Sequence, residues 1–343
     1  MSQSKNSVHP VTMRDVAKQA GVSLSTVSRV LSQKTTGIPI TEETRQKIFD
    51  AVAALGYHPN MTARSLRTQR TYMIAIMIAD ISNPFYHFIV RAVQDVAHHY
   101  QYDVLIANTD HLVENEQHFC EAMMRRPVDG IIVVPYHLSS EIIGNLAERT
   151  GAQVVVLGEH IDHPAVDVVY SDDEQATVDA IQWLIRHKHH QRIGFIGVPD
   201  THPGERRLKG YLNASKAADL AVEAAYLQNG DWTVESGMEA MRKLLALPDR
   251  PTAVFACNDH MAIGALTVSL DMNLRIPDEI AIVGFDNIPA TSLIRPKLTT
   301  IEQFPTEIGQ KLATALFDRI EGIYTGPRRI FEGTLALIER EST

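Results

Sequence analysis

Six polar or charged residues stand at or shortly after hydrophobic runs that read as β-strands. Asn83 follows Met73–Ile78, Asp110 follows Val104–Ala107, and Glu159 follows Val154–Leu157. Asn258 follows Ala253–Cys257, Asp286 follows Ile280–Phe285, and the loop after Arg192–Gly197 leads to Arg207. Phe85 and Tyr86 accompany the first of these. Carboxylates and amides pair with neighbouring hydroxyls, and aromatic rings stack on C–H faces. The set therefore suits a polyhydroxylated ligand. Each residue also has a plainer reading. Asp or Asn after a strand caps the next helix, as Asp173 and Asp259 are placed to do, and Phe85 and Tyr86 open an amphipathic helix as core residues. Convergence at six strand ends favours a site.

The elements that must position these side chains alternate along the chain. Between the apolar runs, to which Gly130–Val134 belongs, lie amphipathic stretches of helical period. They span about 85–99, 114–124, 140–149, 173–187, 205–218, 234–245, 260–270 and 306–320. Continuous Val/Ile runs separated by helices predict parallel strands covered on both faces, here two doubly wound α/β lobes. Ligands of such sheets sit beyond the carboxyl ends of the strands.

Residues 1–70 have a different texture. Met13 to Leu31 reads as two short helices joined at Gly21, with Ser23 opening the second and Val16, Ala20, Val22, Val27 and Val30 interlocking. Ala17 is small where the helices come closest, and Gly21 supplies the turn. A third helix runs from about Thr41, its cap, to Leu55, and Gly56 ends it. This is a helix-turn-helix, which lays its second helix in the major groove of DNA. Charge supports it: ten Lys/Arg against four Asp/Glu make residues 1–70 net +6, and the whole-chain −9 leaves −15 for the remainder. An acidic protein with a basic head presents only the head to phosphate, although a solvated helical cap is the plainer alternative. The segment NMTARSLRTQRT is polar, holds three arginines and is too weak to be a helix alone.

A chain of 343 residues predicts two to three domains, and 45 % hydrophobic with 21 % charged residues is the composition of an ordinary soluble globule. The polar start MSQSKNSVHP lacks the apolar run of a signal peptide, and no stretch is long and apolar enough to span a bilayer. Cys120 and Cys257 lie in apolar contexts and read as free thiols of a reducing cytoplasm. No GxxxxGK[ST], GxSxG or HExxH motif is present, so no enzyme class is indicated. Glu159 with Asp286 is the one carboxylate pair open to a sugar-processing reading. The His98-His99 and His187–His190 clusters fall at a helix end and before a strand, which suits a helix C-terminus better than a metal. No cofactor or metal is expected. A free solute-binding protein has the core but not the basic head, and an architectural DNA binder would ignore metabolites.

The segments TMRDVAKQAGVSLSTVSRVL, ALGYHPNMTARSLR, ISNPFY, VDGIIVVP, RIGFIG, RRLKGY, AVFACNDHMAIGAL, IPDEIAIVGFDN and RPKLTTIEQ resemble the LacI/GalR transcriptional regulators along almost the full length. The resemblance implies an all-α helix-turn-helix head over 1–58, a hinge helix and linker over 59–71, and a core over 72–343. That core is α/β, two doubly wound lobes of the periplasmic sugar-binding protein type. The N-lobe is expected at about 72–162 and 291–323, the C-lobe at about 163–290 and 324–343. The implied activity is that of a repressor, a homodimer on a palindromic operator in double-stranded DNA, controlled by a small-molecule effector of sugar type, with no membrane partner. DNA contacts fall on Thr12, Ser23, Leu24, Ser25, Thr26, Ser28 and Arg29, and in the hinge on Asn60, Ala63, Arg64 and Leu66. Leu66 looks like the wedge that kinks DNA from the minor groove. Effector contacts fall on Asn83, Phe85, Tyr86, Asp110, Glu159, Arg207, Asn258, Asp286 and Gln303, with Arg207 rather than Arg206 as the ligand cation. Gly158-Glu159 replaces the acidic-then-basic pair of ribose binders, which predicts the loss of a second cation there. Phe304 stands where the family has proline directly after Gln. Arg207 against Asp110, Glu159 and Asp286 favours a neutral sugar or polyol.

Overall fold

The computed structural model describes residues 11–31, 39–57, 65 and 68–343. The chain divides into two compact units, Met1–Thr71 and Tyr72–Thr343.

In the first unit, helices α1 (Met13–Ala20), α2 (Leu24–Leu31) and α3 (Glu42–Leu55) enclose a small core of Val16, Ala17, Val27, Val30, Ile48, Ala51 and Tyr57. The Asp15 carboxylate caps α1, accepting from the Thr12 N–H at 2.9 Å and the Thr12 hydroxyl at 2.7 Å. Gly21 ends α1 at φ 67°, a left-handed position that glycine takes without a Cβ penalty. The Ser23 hydroxyl accepts from the Thr26 N–H at 3.1 Å and so caps α2, the step that turns the chain into the second helix. Most of the expected hinge, including Asn60, Ala63, Arg64 and Leu66, lies outside the described residues.

The second unit holds two six-stranded sheets. The first lobe starts β1 (Met73–Ile78), α4 (Pro84–His99), β2 (Asp103–Asn108), α5 (Val113–Arg125), β3 (Gly130–Val133), α6 (Ser140–Thr150), β4 (Gln153–Leu157) and β5 (Val166–Tyr170). The chain then builds the second lobe: α7 (Asp173–Lys188), β6 (Ile193–Gly197), α8 (His202–Ala217), β7 (Leu227–Asn229), α9 (Val234–Leu245), β8 (Ala253–Ala256), α10 (Asp259–Asp271), β9 (Ala281–Asp286), α11 (Ala290–Leu293) and β10 (Thr299–Glu302). It returns for α12 (Pro305–Ile320) and β11 (Ile330–Glu332), and adds β12 (Ala336–Ile338) to the second sheet. The sheet orders are β11-β5-β4-β3-β1-β2 and β12-β10-β9-β8-β6-β7, and β12 alone runs antiparallel to its neighbour. In both sheets the order reverses beside the strand that opens the lobe, which leaves a crevice at its carboxyl end. No helix among the described residues is long and apolar enough to cross a membrane.

All seven expected strands are present with ends shifted by at most two residues, whereas β5, β7, β10, β11 and β12 were not foreseen. The expected lobe boundaries need correction. Val166–Tyr170 and Ile330–Glu332 belong to the first sheet, not to the C-lobe, and Thr299–Glu302 belongs to the second sheet, not to the N-lobe. The reason is that β5 pairs in parallel with β4 without an intervening helix, so the lobe change falls after Tyr170. The chain therefore crosses between lobes three times, near Ser171, near Gln303 and near Gly333. The buried Asp167 carboxylate fixes the last return, accepting from Arg319 at 2.6 Å and from Arg329 at 2.9 Å.

Glycines bring two site-bearing helices together. A Cβ on Gly237 of α9 would lie 2.2 Å from the Met261 carbonyl oxygen, and one on Gly264 of α10 would lie 2.1 Å from that of Val234. The backbones touch, and this fixes the loop before α9 against the start of α10. Gly264→Ala gains helix propensity but must separate the helices, so it should lower stability by about 1–3 kcal/mol. Urea unfolding of the two proteins measures this; an unchanged or raised midpoint would refute the close-packing account.

Candidate functional site

On the first unit, Ser23, Leu24 and Ser25 are exposed at the start of α2, with Leu24 43 % accessible. Three hydroxyls cluster there, Ser23 Oγ lying 2.8 Å from both Ser25 Oγ and Thr26 Oγ1. A helix N-terminus dressed with hydroxyls and an apolar tip offers donors and acceptors to base edges and phosphates, and an apolar contact for a thymine methyl. Thr26, Ser28 and Arg29 of the same helix are half-buried. Thr12 is exposed but caps α1, away from α2 in the sequence, with its hydroxyl committed to Asp15.

In the second unit a cleft lies between the lobes at the strand ends. It is lined by Asn83, Phe85, Tyr86, Glu159, Arg207, Asn258, Asp286 and Gln303 among the expected residues. Asp110 is not there. It sits in a left-handed turn at φ 52°, exposed, with its carboxylate accepting from Asn108 Nδ2 at 2.5 Å, and the next residue, His111, faces the cleft instead.

Several cleft residues combine the helix-capping and site readings. Asn83 caps α4 by accepting from the Phe85 N–H at 3.0 Å. Asn258 caps α10 by accepting from the Met261 N–H at 2.9 Å, while its Nδ2 donates to the Trp232 carbonyl at 2.8 Å. Phe85 and Tyr86 are buried in the first-lobe core as well as lining the cleft.

Arg207 is the buried cation of the site. Its Nε donates to Asp173 Oδ2 at 2.9 Å, its Nη1 donates to the Cys257 carbonyl, and its guanidinium stacks 3.6 Å from the Phe285 ring centroid. The neighbouring carboxylates Asp173 and Asp286 hold it charged despite its burial. Asp286 accepts from Gln303 Nε2 at 2.6 Å, and burial pushes its carboxyl up to about 7 against the opposing pull of Arg207. Asp286 and the next residue both take positive φ, 116° and 53°, a strained turn held at the site.

Sequence reasoning missed a second group of cleft residues: His111, Tyr136, His160, Tyr170, Ser171, Asp173, His202, Arg206 and Trp232. Tyr170 ends β5, Ser171 and Asp173 come just after it, and Trp232 follows β7. Those two strands were not read, so their ends were not searched. Four polar atoms here are buried without a protein partner: His111 Nδ1, His160 Nε2, Ser171 Oγ and Trp232 Nε1. Buried polar groups are ordinarily satisfied, so these four atoms leave bonding capacity turned to the cleft. Burial holds His111 and His160 down at about 4, hence neutral. The buried Glu116 carboxylate carries the loop after β3, accepting from the Tyr136 and His137 N–H groups at 2.9 and 3.1 Å. Tyr136 thereby meets the Tyr86 hydroxyl at 2.8 Å. No cation follows β4, as expected; a second cation, Arg206, instead reaches Glu159 from α8 of the other lobe.

A helix-turn-helix head joined in one chain to a two-lobed ligand cleft defines a ligand-responsive regulator of transcription. Residues 12–60 match the pattern of bacterial regulatory proteins of the lacI family, and residues 181–343 match a periplasmic binding protein-like domain. Catabolite control protein A of Priestia megaterium is 35 % identical over 302 residues, covering 87 % of this chain and 89 % of its own. The transcriptional repressor CytR of Escherichia coli (strain K12) is 33 % identical over 329 residues, 94 % of each. Among solved structures, the Lac repressor bound to ONPG in its repressed state superposes with TM-score 0.83 at 26 % identity over 98 % of this chain and 100 % of the other. The CelR–cellobiose complex gives 0.71 at 29 % over 97 % and 100 %. The chain belongs to the LacI family and is a DNA-binding transcriptional regulator, not an enzyme by its relatives.

The raised Asp286 value has a consequence for stability. A carboxyl whose folded value exceeds its unfolded one contributes stability that is complete below the ordinary 3.8 and is lost as pH rises through about 7. Thermal unfolding across that window should therefore fall more steeply with pH in the native protein than in Asp286→Asn. Parallel curves would show that Asp286 titrates as an ordinary surface carboxylate.

Proposed function

We propose that this protein is a cytoplasmic repressor that binds a palindromic operator as a homodimer, one head per half-site, and that an uncharged sugar or polyol in the interlobe cleft sets its operator affinity. The observation that carries this reading is the cleft itself: a stacked, charge-paired Arg207 and four unpartnered neutral polar atoms among aromatic rings, in a chain whose other unit is a basic helix-turn-helix. Related proteins support each part. One is described as a Lac repressor dimer bound to operator and the anti-inducer ONPF, another as a LacI family regulator from Enterococcus faecium with bound ribose.

The hydroxyl-rich start of α2 is the reading edge, with Leu24, Ser25 and Arg29 meeting base edges. The segment 59–71 is the hinge, Asn60, Ala63, Arg64 and Leu66 meeting the minor groove and Leu66 entering the central step. A segment with little helical stability of its own folds when DNA and the partner hinge are both present. Effector binding changes the angle between lobes that are joined by three strands. The operator affinity shifts by the effector's differential affinity for the two arrangements.

The direct test selects duplexes from a random pool with the full-length protein, then measures fluorescence anisotropy on the winning sequence with ribose, cellobiose and ONPG added in turn. A palindrome should emerge, and at least one neutral sugar should move its affinity. Selection of no sequence would overturn the operator reading, and indifference to every sugar, polyol and nucleoside tried would overturn the effector reading. Leu24→Ala should weaken the selected duplex by roughly 1–3 kcal/mol and leave unrelated DNA unaffected. Equal losses on both would make Leu24 a structural residue.

A further inference from the structure

We propose that Glu159 is the residue that makes the cleft selective for uncharged ligands, by masking the Arg206 guanidinium that would otherwise receive a phosphate or carboxylate. The inference rests on the effector reading of the cleft given above and adds the charge rule of the site.

Arg206 stands on α8, one helical turn beyond His202, and both line the cleft from the second lobe. Glu159 and His160 follow β4 and line it from the first. The four meet as two adjacent cross-lobe contacts: Glu159 Oε1 on Arg206 Nη1, and the His160 ring stacked on the His202 ring with centroids 3.6 Å apart. Arg206 Nη2 reaches Asp172 Oδ1 at 2.8 Å, so this cation carries two carboxylates. Arg206 is 23 % exposed and Glu159 35 %, which places the pair at the lip rather than in the interior.

The charge balance follows from the pairings. Arg207 is matched by Asp173, and Arg206 is matched twice, by Glu159 and Asp172. Asp286 adds a further acidic group beside Gln303. The lip histidines bring no positive charge, since burial holds both His160 and His202 below the ordinary value. An anionic group arriving at the lip meets two carboxylates and one guanidinium whose two terminal nitrogens each already face a carboxylate. It must displace Glu159, and with it one of the two contacts that join the lobes there. A hydroxyl needs only the unpartnered His160 Nε2. Like charges on a site reject the wrong ligand through repulsion and unpaired groups as much as through lost contacts.

The mask is removable by one atom change. Glu159→Gln keeps the shape and a carbonyl acceptor but deletes the charge, leaving Arg206 with one carboxylate. The experiment measures binding of ribose against ribose 5-phosphate, and glucose against glucose 6-phosphate, to the full-length protein by calorimetry, for native, Glu159→Gln and Glu159→Asp proteins. The native protein should prefer the neutral sugar over its phosphate. Glu159→Gln should shrink that preference by about tenfold or more, as expected for removing a charge next to the ligand anion in a partly desolvated site. Glu159→Asp, which retains the charge, should preserve it. A preference that is the same in Glu159→Gln as in the native protein overturns the proposal. Binding of the phosphate in preference to the sugar by the native protein overturns it too. If neither sugar binds in either form, the same pair of measurements is run on whichever neutral compound shifts operator affinity and on its phosphate ester. Failure of every neutral compound would then fall on the effector reading and not on the mask.

Discussion

The cleft is organised around one buried charge. Arg207 is 5 % exposed, and a guanidinium so placed is tolerable only because Asp173 pairs with it, the Cys257 carbonyl accepts from it and Phe285 stacks beneath it. Those partners come from α7, the end of β8 and β9, so the arginine ties three elements of the second lobe to one point. Removing Asp173 would leave Arg207 without its paired carboxylate, and the geometry of the strand ends is therefore fixed more tightly than apolar packing alone would fix it. Asn258 comes just after β8 and Asp286 ends β9, and their positions inherit this constraint.

Around that point, structural and ligand-facing duties fall on the same atoms. Asn83 and Asn258 cap the helices that open at the cleft, and Asn258 also holds the Trp232 loop through its other amide atom. Glu116 fastens the loop of Tyr136 from beneath. The contact of Gly237 and Gly264 sets the distance between the loop that carries Trp232 and the helix that starts after Asn258. A binding surface built from helix starts and strand ends is held by hydrogen bonds and close packing within each lobe, and only three passages of chain join one lobe to the other.

Much of this was legible in the sequence. Alternating apolar runs and helical stretches gave seven strands and eight helices close to their observed ends, and the rule that ligands lie beyond strand ends led to Asn83, Phe85, Tyr86, Glu159, Arg207, Asn258 and Asp286, while Gln303 came only from the family resemblance. Asp110 failed because the backbone after β2 turns through two left-handed residues, Asp110 and His111, which sends the Asp110 carboxylate to Asn108 and His111 to the cleft. The lobe boundaries failed because β5, β10 and β11 were not read, and β11 pairs with β5 far away in sequence, which local periodicity does not show. Tyr170 and Trp232 were missed with β5 and β7, whereas His111, Tyr136, His160 and His202 follow strands that were read and were passed over because their residue types gave no polyol signal. The Arg206–Glu159 contact joins residues 47 positions apart on different lobes, and no local pattern announces it.

The three crossings carry a consequence for how the chain is made. The head needs only residues up to Tyr57 to enclose its core, so it can close early during synthesis. The first lobe cannot. Leu312, Leu316 and Phe317 of α12 belong to its core, and β11 is its edge, so it lacks a wall until the ribosome has passed Glu332. The second lobe waits for β12 a few residues later. Both lobes therefore mature almost together, once β11 and β12 have been made, and a nascent chain stalled anywhere between about Leu157 and Gly333 exposes an unfinished parallel sheet to chaperones and proteases.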